Sequence, residues 1–266
     1  MKHLPNLLTL ANLVFGCIAI VYTLSAPVYL STVTGEEYFP VMGLARFYYG
    51  GIFIVLAAVC DLLDGLAARL LKAQSALGKD LDSLADLVSF GVAPAMILYK
   101  LVWMSYMQEP GALETPFWVL LPVFIPVAAA AWRLARFNQT AGTGHAPVFR
   151  GMPVPAMGLL IASFPLMLWF PSPVFSAETL LLNRWFLYGL SLVLSYLMLS
   201  RVRFLKWKAP QAGLKAWWPQ IVLILAGVTG AFVMGFLIVP LLFVLYILLS
   251  RVYRFPPESE SSLVDV

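Results

Sequence analysis

Charge is what this sequence has least of. Only 11% of its 266 residues are Asp, Glu, Lys or Arg, against about 25% in soluble domains, which excludes a soluble globular domain. Disorder is excluded by the opposite excess, because 61% of the residues are hydrophobic. Cysteine is nearly missing. Cys17 and Cys60 both lie inside apolar runs, so no disulfide framework or thiolate metal site can be built. The two histidines, His3 and His145, fall at expected water interfaces and read as exposed groups rather than ligands. The basic residues behind the net charge of +4 are scattered between apolar runs, which argues against a nucleic-acid surface. What remains is a polytopic membrane protein, with its 14% aromatic content serving interfacial belts and lipid contact.

A helical span needs about 20 mostly apolar residues. Candidate runs cover 7–29, 46–71, 87–107, 116–134, 154–170, 184–200, 220–234 and 236–250. The first has no convincing cleavage signal and is read as a retained span. The last two divide a charge-free stretch of thirty residues, 221–250, which is long for one span and short for two. Gly227, Gly230, Gly235 and Pro240 favour a tight hairpin, giving eight helices. With the N-terminus inside, only Arg46, Lys100 and Arg184 of the 17 lysines and arginines face outward, a strong positive-inside bias. A single long final span would put Arg251 and Arg254 outside. Both termini are therefore expected in the cytoplasm. Pro94, Pro122, Pro126, Pro165 and Pro240 are expected to kink helices.

This gives an all-α chain with a six-span core over 1–200 and a C-terminal transmembrane hairpin over 219–255. Between them, 201–218 is basic and aromatic (Arg203, Phe204, Lys206, Trp207, Lys208, Lys215, Trp217, Trp218) and is expected to lie on the anionic inner leaflet. The tail 256–266 is expected to be disordered.

Aspartate is as rare as the other charges, yet it is concentrated. Five of the six aspartates lie between positions 61 and 86, and ionisable groups near spans are costly and usually functional. At about 100° per residue, Asp61, Asp64, Gly65 and Ala68 share one helical stripe. Asp82 and Asp86 are four apart and share a face with Gly78. The short linker from Arg69 to Gly78 makes the two helices antiparallel neighbours, so the four carboxylates can converge at a cytoplasmic end. Oxygen-only ligands suit Mg²⁺, Mn²⁺ or Ca²⁺ rather than zinc. Two such ions would neutralise four carboxylates and leave coordination positions for phosphate oxygens. Gly65 and Gly78 leave room for something large against the backbone, and Arg69 supplies a fixed charge for a phosphate or a base edge. Asp80 falls outside the pattern and reads as a solvated loop carboxylate. Asn6, Thr9 and Asn12 either cap the first helix and bond within the bundle or touch a nucleotide.

Asp61-x-x-Asp64-Gly65-x-x-Ala68-Arg69 followed by Gly78-x-x-x-Asp82-x-x-x-Asp86 resembles the complete signature of the CDP-alcohol phosphotransferases. The resemblance implies a six-helix membrane bundle, usually homodimeric, holding two divalent cations, Mg²⁺ or Mn²⁺. It implies metal ligation by Asp61, Asp64 and Asp82, with Asp86 beside the metals, entered with them as a ligand and acting as the base. It also implies a CDP pocket of Gly65, Ala68, Arg69 and Gly78, to which Asn6 and Thr9 are added.

Four further segments resemble the phosphatidylserine synthases of that family: 4–12 (LPNLLTLAN), 89–95 (SFGVAPA), 133–138 (RLARFN) and 149–155 (FRGMPVP). They imply transfer of the phosphatidyl group of CDP-diacylglycerol to L-serine in a bacterial or archaeal inner membrane, with CMP released. The serine carboxylate needs a cation, and a guanidinium fits it best. Arg136, then Arg133, at the cytoplasmic end of the fourth span are the candidates. Glycerol 3-phosphate or inositol as acceptor is the alternative within the family. An ion-coupled transporter is the alternative outside it, disfavoured by carboxylates at span ends and by the lack of an inverted repeat.

Overall fold

The computed structural model describes residues 3–26, 28–32, 38–42, 44, 46–73, 75–107, 114–141, 151–200, 202, 204 and 218–252. The basic segment apart from Val202, Phe204 and Trp218, the tail 256–266, His145, Arg150 and Arg254 lie outside the described residues.

The first helix, α1 (Leu4–Leu24), buries Pro5, Thr9, Asn12, Gly16, Ala19 and Thr23. These recur every three or four residues and so form one face. Leu7, Leu10, Val14 and Val21 point outward. The pattern is the reverse of a soluble helix: small and polar groups face the partner, while bulky apolar ones face the surroundings, as expected in lipid. The partner is α2 (Phe47–Leu70), which buries Gly50, Ile54, Ala57 and Asp64, while its Gly51 packs against Ala162 of a later helix. A Cβ on Gly50 would collide with Thr23, so the backbones meet closely here.

Between them lies an antiparallel hairpin of β1 (Val28–Thr32) and β2 (Tyr38–Met42), with Val28 opposite Met42. This corrects the expectation of helix up to residue 29 and of a chain without strands. Run length alone cannot separate an apolar strand from the end of an apolar helix, and Val, Tyr, Phe and Thr favour the strand.

A continuous third helix consists of α3 (Ala76–Asp86), a π-helical turn (Leu87–Val92) and α4 (Ala93–Tyr106). Ser75 caps it, its Oγ accepting from the Gly78 amide at 3.0 Å. The helix starts well before the apolar run at 87, because α3 carries the polar residues of the aspartate pattern. Pro94 lacks an N–H, and its ring would clash with the carbonyl four residues back. The widened π turn before it, in which the Ala93 amide bonds the Val88 carbonyl, accommodates the proline without breaking the helix. Asp80 is exposed, as expected, but on α3 rather than in a loop.

A 3₁₀ segment (Phe117–Phe124) containing Pro122 leads into α5 (Ile125–Ala141), which runs past the expected end at 134. The central element is α6 (Val154–Trp169), buried from Leu160 to Met167. It admits Phe90 against Gly158, where a Cβ would lie 3.0 Å from the Phe90 Cα. A short α7 (Glu178–Leu181) precedes α8 (Arg184–Leu199). The C-terminal pair is α9 (Trp218–Met234) and α10 (Ile238–Val252), joined through Gly235 at φ +59°. A Cβ on Gly227 would lie 3.2 Å from Leu242, whereas one straight helix would hold them about 22 Å apart. The pair is therefore a hairpin, as the glycines predict. An apolar cavity of about 560 Å³ separates its tip from α6 and α8.

Among the described residues five stretches are long and apolar enough to cross a membrane, the last being this folded hairpin, and α6 and α8 are shorter apolar helices. The protein is an integral membrane protein. Lys100 is buried, donating to the Ala26 carbonyl at 3.4 Å, and Arg184 lies 4.4 Å over the Tyr106 ring. Both sit at the end of the bundle away from the aspartates. Phe204, expected on a lipid surface with the basic segment, is instead buried and stacked 5.7 Å from the Tyr246 ring of α10.

Candidate active site

The DxxDG stripe of α2 and the GxxxDxxxD stripe of α3 meet where these helices lie against the start of α1. Asp61, Asp64 and Asp82 each offer a carboxylate oxygen, and the three oxygens lie within 4.8 Å of one another. At an effective dielectric of 20, each ionised pair at that distance repels by at least about 3 kcal/mol, so the arrangement calls for a cation. A second observation agrees. One oxygen of Asp82 is buried without a hydrogen-bond partner, and such an atom is costly unless something outside the chain completes it. An all-oxygen donor set fits a hard divalent ion.

Polar residues of α1 fix these carboxylates. Thr9 Oγ1 reaches Asp64 Oδ2 at 2.7 Å and the Pro5 carbonyl at 3.0 Å, donating its one proton to either. Asn12 Nδ2 donates to Asp86 Oδ1 at 3.4 Å, and Ser89 Oγ, in the π turn, donates to the Asn12 carbonyl at 2.9 Å. Gly16 permits that approach, since a Cβ there would lie 2.8 Å from the Ser89 Cα. Asp86 is 9% exposed and does not join the three-residue cluster, although its charge and theirs interact. Of the two readings of Thr9 and Asn12, bonding within the bundle is observed, and the bonds go to the aspartates.

Beside the cluster opens a cavity of about 450 Å³, within the range of small-molecule sites. Its walls include Asn6, Thr9, Gly65, Ala68 and Gly78, all singled out in the sequence. Gly65 is the informative one. A Cβ there would meet nothing within 4 Å, so no helix packing accounts for a residue that costs a helix about 1 kcal/mol relative to alanine. Its missing side chain is room in the cavity. Arg69 does not line the cavity among the described residues; its Nε donates to the Gly65 carbonyl at 2.9 Å, one turn back on its own helix.

Lys79 does line it, and sequence reasoning missed this by counting it only as a topology charge. Its Nζ donates to the Asn138 carbonyl at 3.2 Å, while Asn138 Nδ2 donates to Ser83 Oγ at 2.8 Å and Ser83 donates to the Lys79 carbonyl at 3.1 Å. This closed set of bonds latches α3 to α5. Its signal was the position of Asn138 in the RLARFN segment, readable only once α5 was known to extend past 134.

The two arginines of that segment part company. Arg136 is exposed. Arg133 is half-buried, with a buried Nε that meets no hydrogen-bond partner. Three residues along a helix leave the two about 60° apart, and here one is half-buried and the other exposed.

Comparison with known proteins agrees with this geometry. Over 207 residues the chain is 32% identical to a CDP-diacylglycerol–serine O-phosphatidyltransferase of Bacillus subtilis, covering 77% of this chain and 90% of that protein. It is 35% identical over 166 residues to the Saccharomyces cerevisiae protein of the same name, covering 60% of this chain but only 52% of the yeast one. A Mycobacterium leprae protein of that name is 42% identical over 108 residues, 39% of this chain and 33% of its own length. The model of the CDP-alcohol phosphatidyltransferase family matches residues 2–197, the part that carries every aspartate of the cluster, and the chain belongs to that family.

Proposed function

We propose that the protein transfers the phosphatidyl group of CDP-diacylglycerol to the hydroxyl of L-serine, forming phosphatidylserine and CMP. The observation that carries this is the three-aspartate cluster opening directly onto the Gly65 cavity, in a chain whose relatives bear that name. Asp61, Asp64 and Asp82 hold the cations, two of Mg²⁺ or Mn²⁺. When bound, these neutralise the diphosphate and the departing CMP. Thr9 fixes the orientation of Asp64. Gly65, Ala68 and Gly78 give the nucleotide its space, with Asn6 and Lys79 as polar partners and Arg69 at the rim.

The new bond joins the serine oxygen to the phosphatidyl phosphorus, and the bond to the CMP oxygen breaks. The serine proton goes to Asp86, which Asn12 orients. A neutral hydroxyl is a weak nucleophile until a base takes its proton. Arg133 holds the serine carboxylate with paired N–H donors. The aspartate end faces the cytoplasm, as the charge asymmetry supports, and the lipid tails enter from the bilayer between helices. The unit is a homodimer.

The test is an acceptor panel on purified protein with CDP-diacylglycerol: L-serine, glycerol 3-phosphate, myo-inositol and ethanolamine, each with and without EDTA. Serine-dependent CMP release that stops with EDTA and returns with Mg²⁺ or Mn²⁺ is expected. Preference for glycerol 3-phosphate would keep the family and discard serine; undiminished turnover in EDTA would discard the metal site.

A further inference from the structure

The α9–α10 hairpin lies beyond residues 2–197, the stretch that the family model matches, and it supplies one wall of the apolar cavity of about 560 Å³. The other walls come from α6, α7 and α8 and the turn between α6 and α7. Every lining side chain is apolar, from Leu160 of α6 to Leu194 of α8 and Met234 at the end of α9. The cavity reaches the end of the bundle away from the aspartates. Phe236 at the hairpin tip lies 5.6 Å from the Phe170 ring, and Phe170 lies 6.2 Å from Tyr48 at the start of α2, whose far end carries Asp61 and Asp64. Deep in the cavity, Leu160 and Leu194 are buried. Val193 of α8 and Leu241 and Val244 of α10 line the same space and are exposed, so it opens sideways between α8 and α10.

Close-packed interiors leave few voids larger than a water, and a cavity with no polar lining gives water no partners. Outside the mouth lies hydrocarbon, since α8 and the hairpin are apolar helices of a membrane protein. The dimensions select the occupant. Along α8 the lining runs from Phe186 to Leu197, about 16 Å at 1.5 Å per residue. That is the depth of one leaflet in a hydrocarbon core about 30 Å thick. An apolar cavity of about 150 Å³ takes up benzene, so at the same packing this one holds about twenty carbons, the scale of a single lipid chain. We propose that the cavity binds one acyl chain of a membrane phospholipid, entering from the bilayer between α8 and α10. The chain completes the packing of the hairpin against the core, at a site separate from the one where the phosphatidyl group is transferred.

The experiment uses the full chain in vesicles of phosphatidylglycerol and phosphatidylethanolamine, with some of the phosphatidylethanolamine carrying a diazirine on one acyl chain. After irradiation, labelled residues are mapped by peptide mass spectrometry. Leu192 of α8 is exposed and does not line the cavity, so it reports on bulk lipid. Label is expected at Leu160 and Leu194, which bulk lipid cannot touch, as well as at Leu192. Val193→Trp combined with Val244→Trp narrows the mouth at two exposed positions. Label at Leu160 and Leu194 should then fall about fivefold or more relative to Leu192, the low end of what overpacking costs. Should that variant fail to fold, Val244→Phe alone repeats the test with a smaller side chain. Label confined to Leu192 in the unaltered protein overturns the proposal, whether the space is dry or filled by another part of the chain or by a second copy. Undiminished label behind a narrowed mouth overturns it too, because the chain would not be entering between α8 and α10.

Discussion

The two sides of the aspartate cluster are built differently. The side of the Gly65 cavity comes from α1, α2 and α3, elements close along the chain whose functional residues fall at fixed intervals of three and four. The opposite side is assigned to α5, where Arg133 lies well beyond the last of those aspartates along the chain. Chemistry shared by a family can be carried by one compact local pattern. Choice of acceptor is left to side chains that only the packed bundle brings together. If that division is right, substitutions on the first side should stop the reaction or the binding of nucleotide, and substitutions on the second should change what is accepted.

The largest effect is expected at the cluster itself. Asp64→Asn removes a charge from a set whose purpose is to hold cations, and it leaves Thr9 facing a neutral amide. Even residues that only support a metal ligand cost 10–100-fold in affinity or activity, so a ligand should cost more than that in Mn²⁺ binding, read by electron paramagnetic resonance. Turnover should fall below detection at every acceptor concentration. Turnover with any acceptor would show that the cluster is not common to both sides.

Next is Asp86→Asn. It removes a base while keeping the shape and the bond from Asn12, so kcat should drop by about 10²–10⁴-fold while CDP-diacylglycerol still binds. Near-normal turnover at saturating metal would assign the proton to another group. Smaller again is the difference between the two arginines. Arg133→Ala should raise serine KM by about thirty- to a thousandfold, corresponding to about 2–4 kcal/mol for a charged partner lost. Arg136→Ala, at an exposed position, should change it little. Equal effects would mean that the burial of Arg133 has no consequence for the acceptor.

The contrast also explains what could be read from the sequence. The aspartate spacing, the three- and four-residue stripes and the glycines at 65 and 78 are local, so helical periodicity was enough to bring them together. The hairpin at Gly235 was legible for the same reason, since a charge-free run of that length needed a turn. The π turn was less so: Pro94 announced a distortion but not its kind, because whether a proline kinks, breaks or widens a helix depends on what packs around it. The β-hairpin was hidden in apolar residues that suit strand and helix alike. Lys79 and Asn138 could not be placed at all, since their roles depend on contacts between α3 and α5 that no periodicity encodes.

The smallest and most discriminating prediction is Gly65→Ala. In a helix interior alanine is favoured over glycine by about 1 kcal/mol, and a Cβ at this position meets nothing within 4 Å. The substitution should therefore leave the fold intact and raise its stability by up to about that amount, seen as a small upward shift in thermal unfolding. The same methyl projects into the cavity beside Asp64, where overpacking costs about 1–3 kcal/mol, so KM for CDP-diacylglycerol should rise by about five- to a hundredfold while serine KM stays level. Opposite signs in stability and nucleotide affinity would be hard to produce if Gly65 were a packing residue. A loss of stability would say that it is one. A rise in serine KM instead would mean that the two sides of the cluster share a single site.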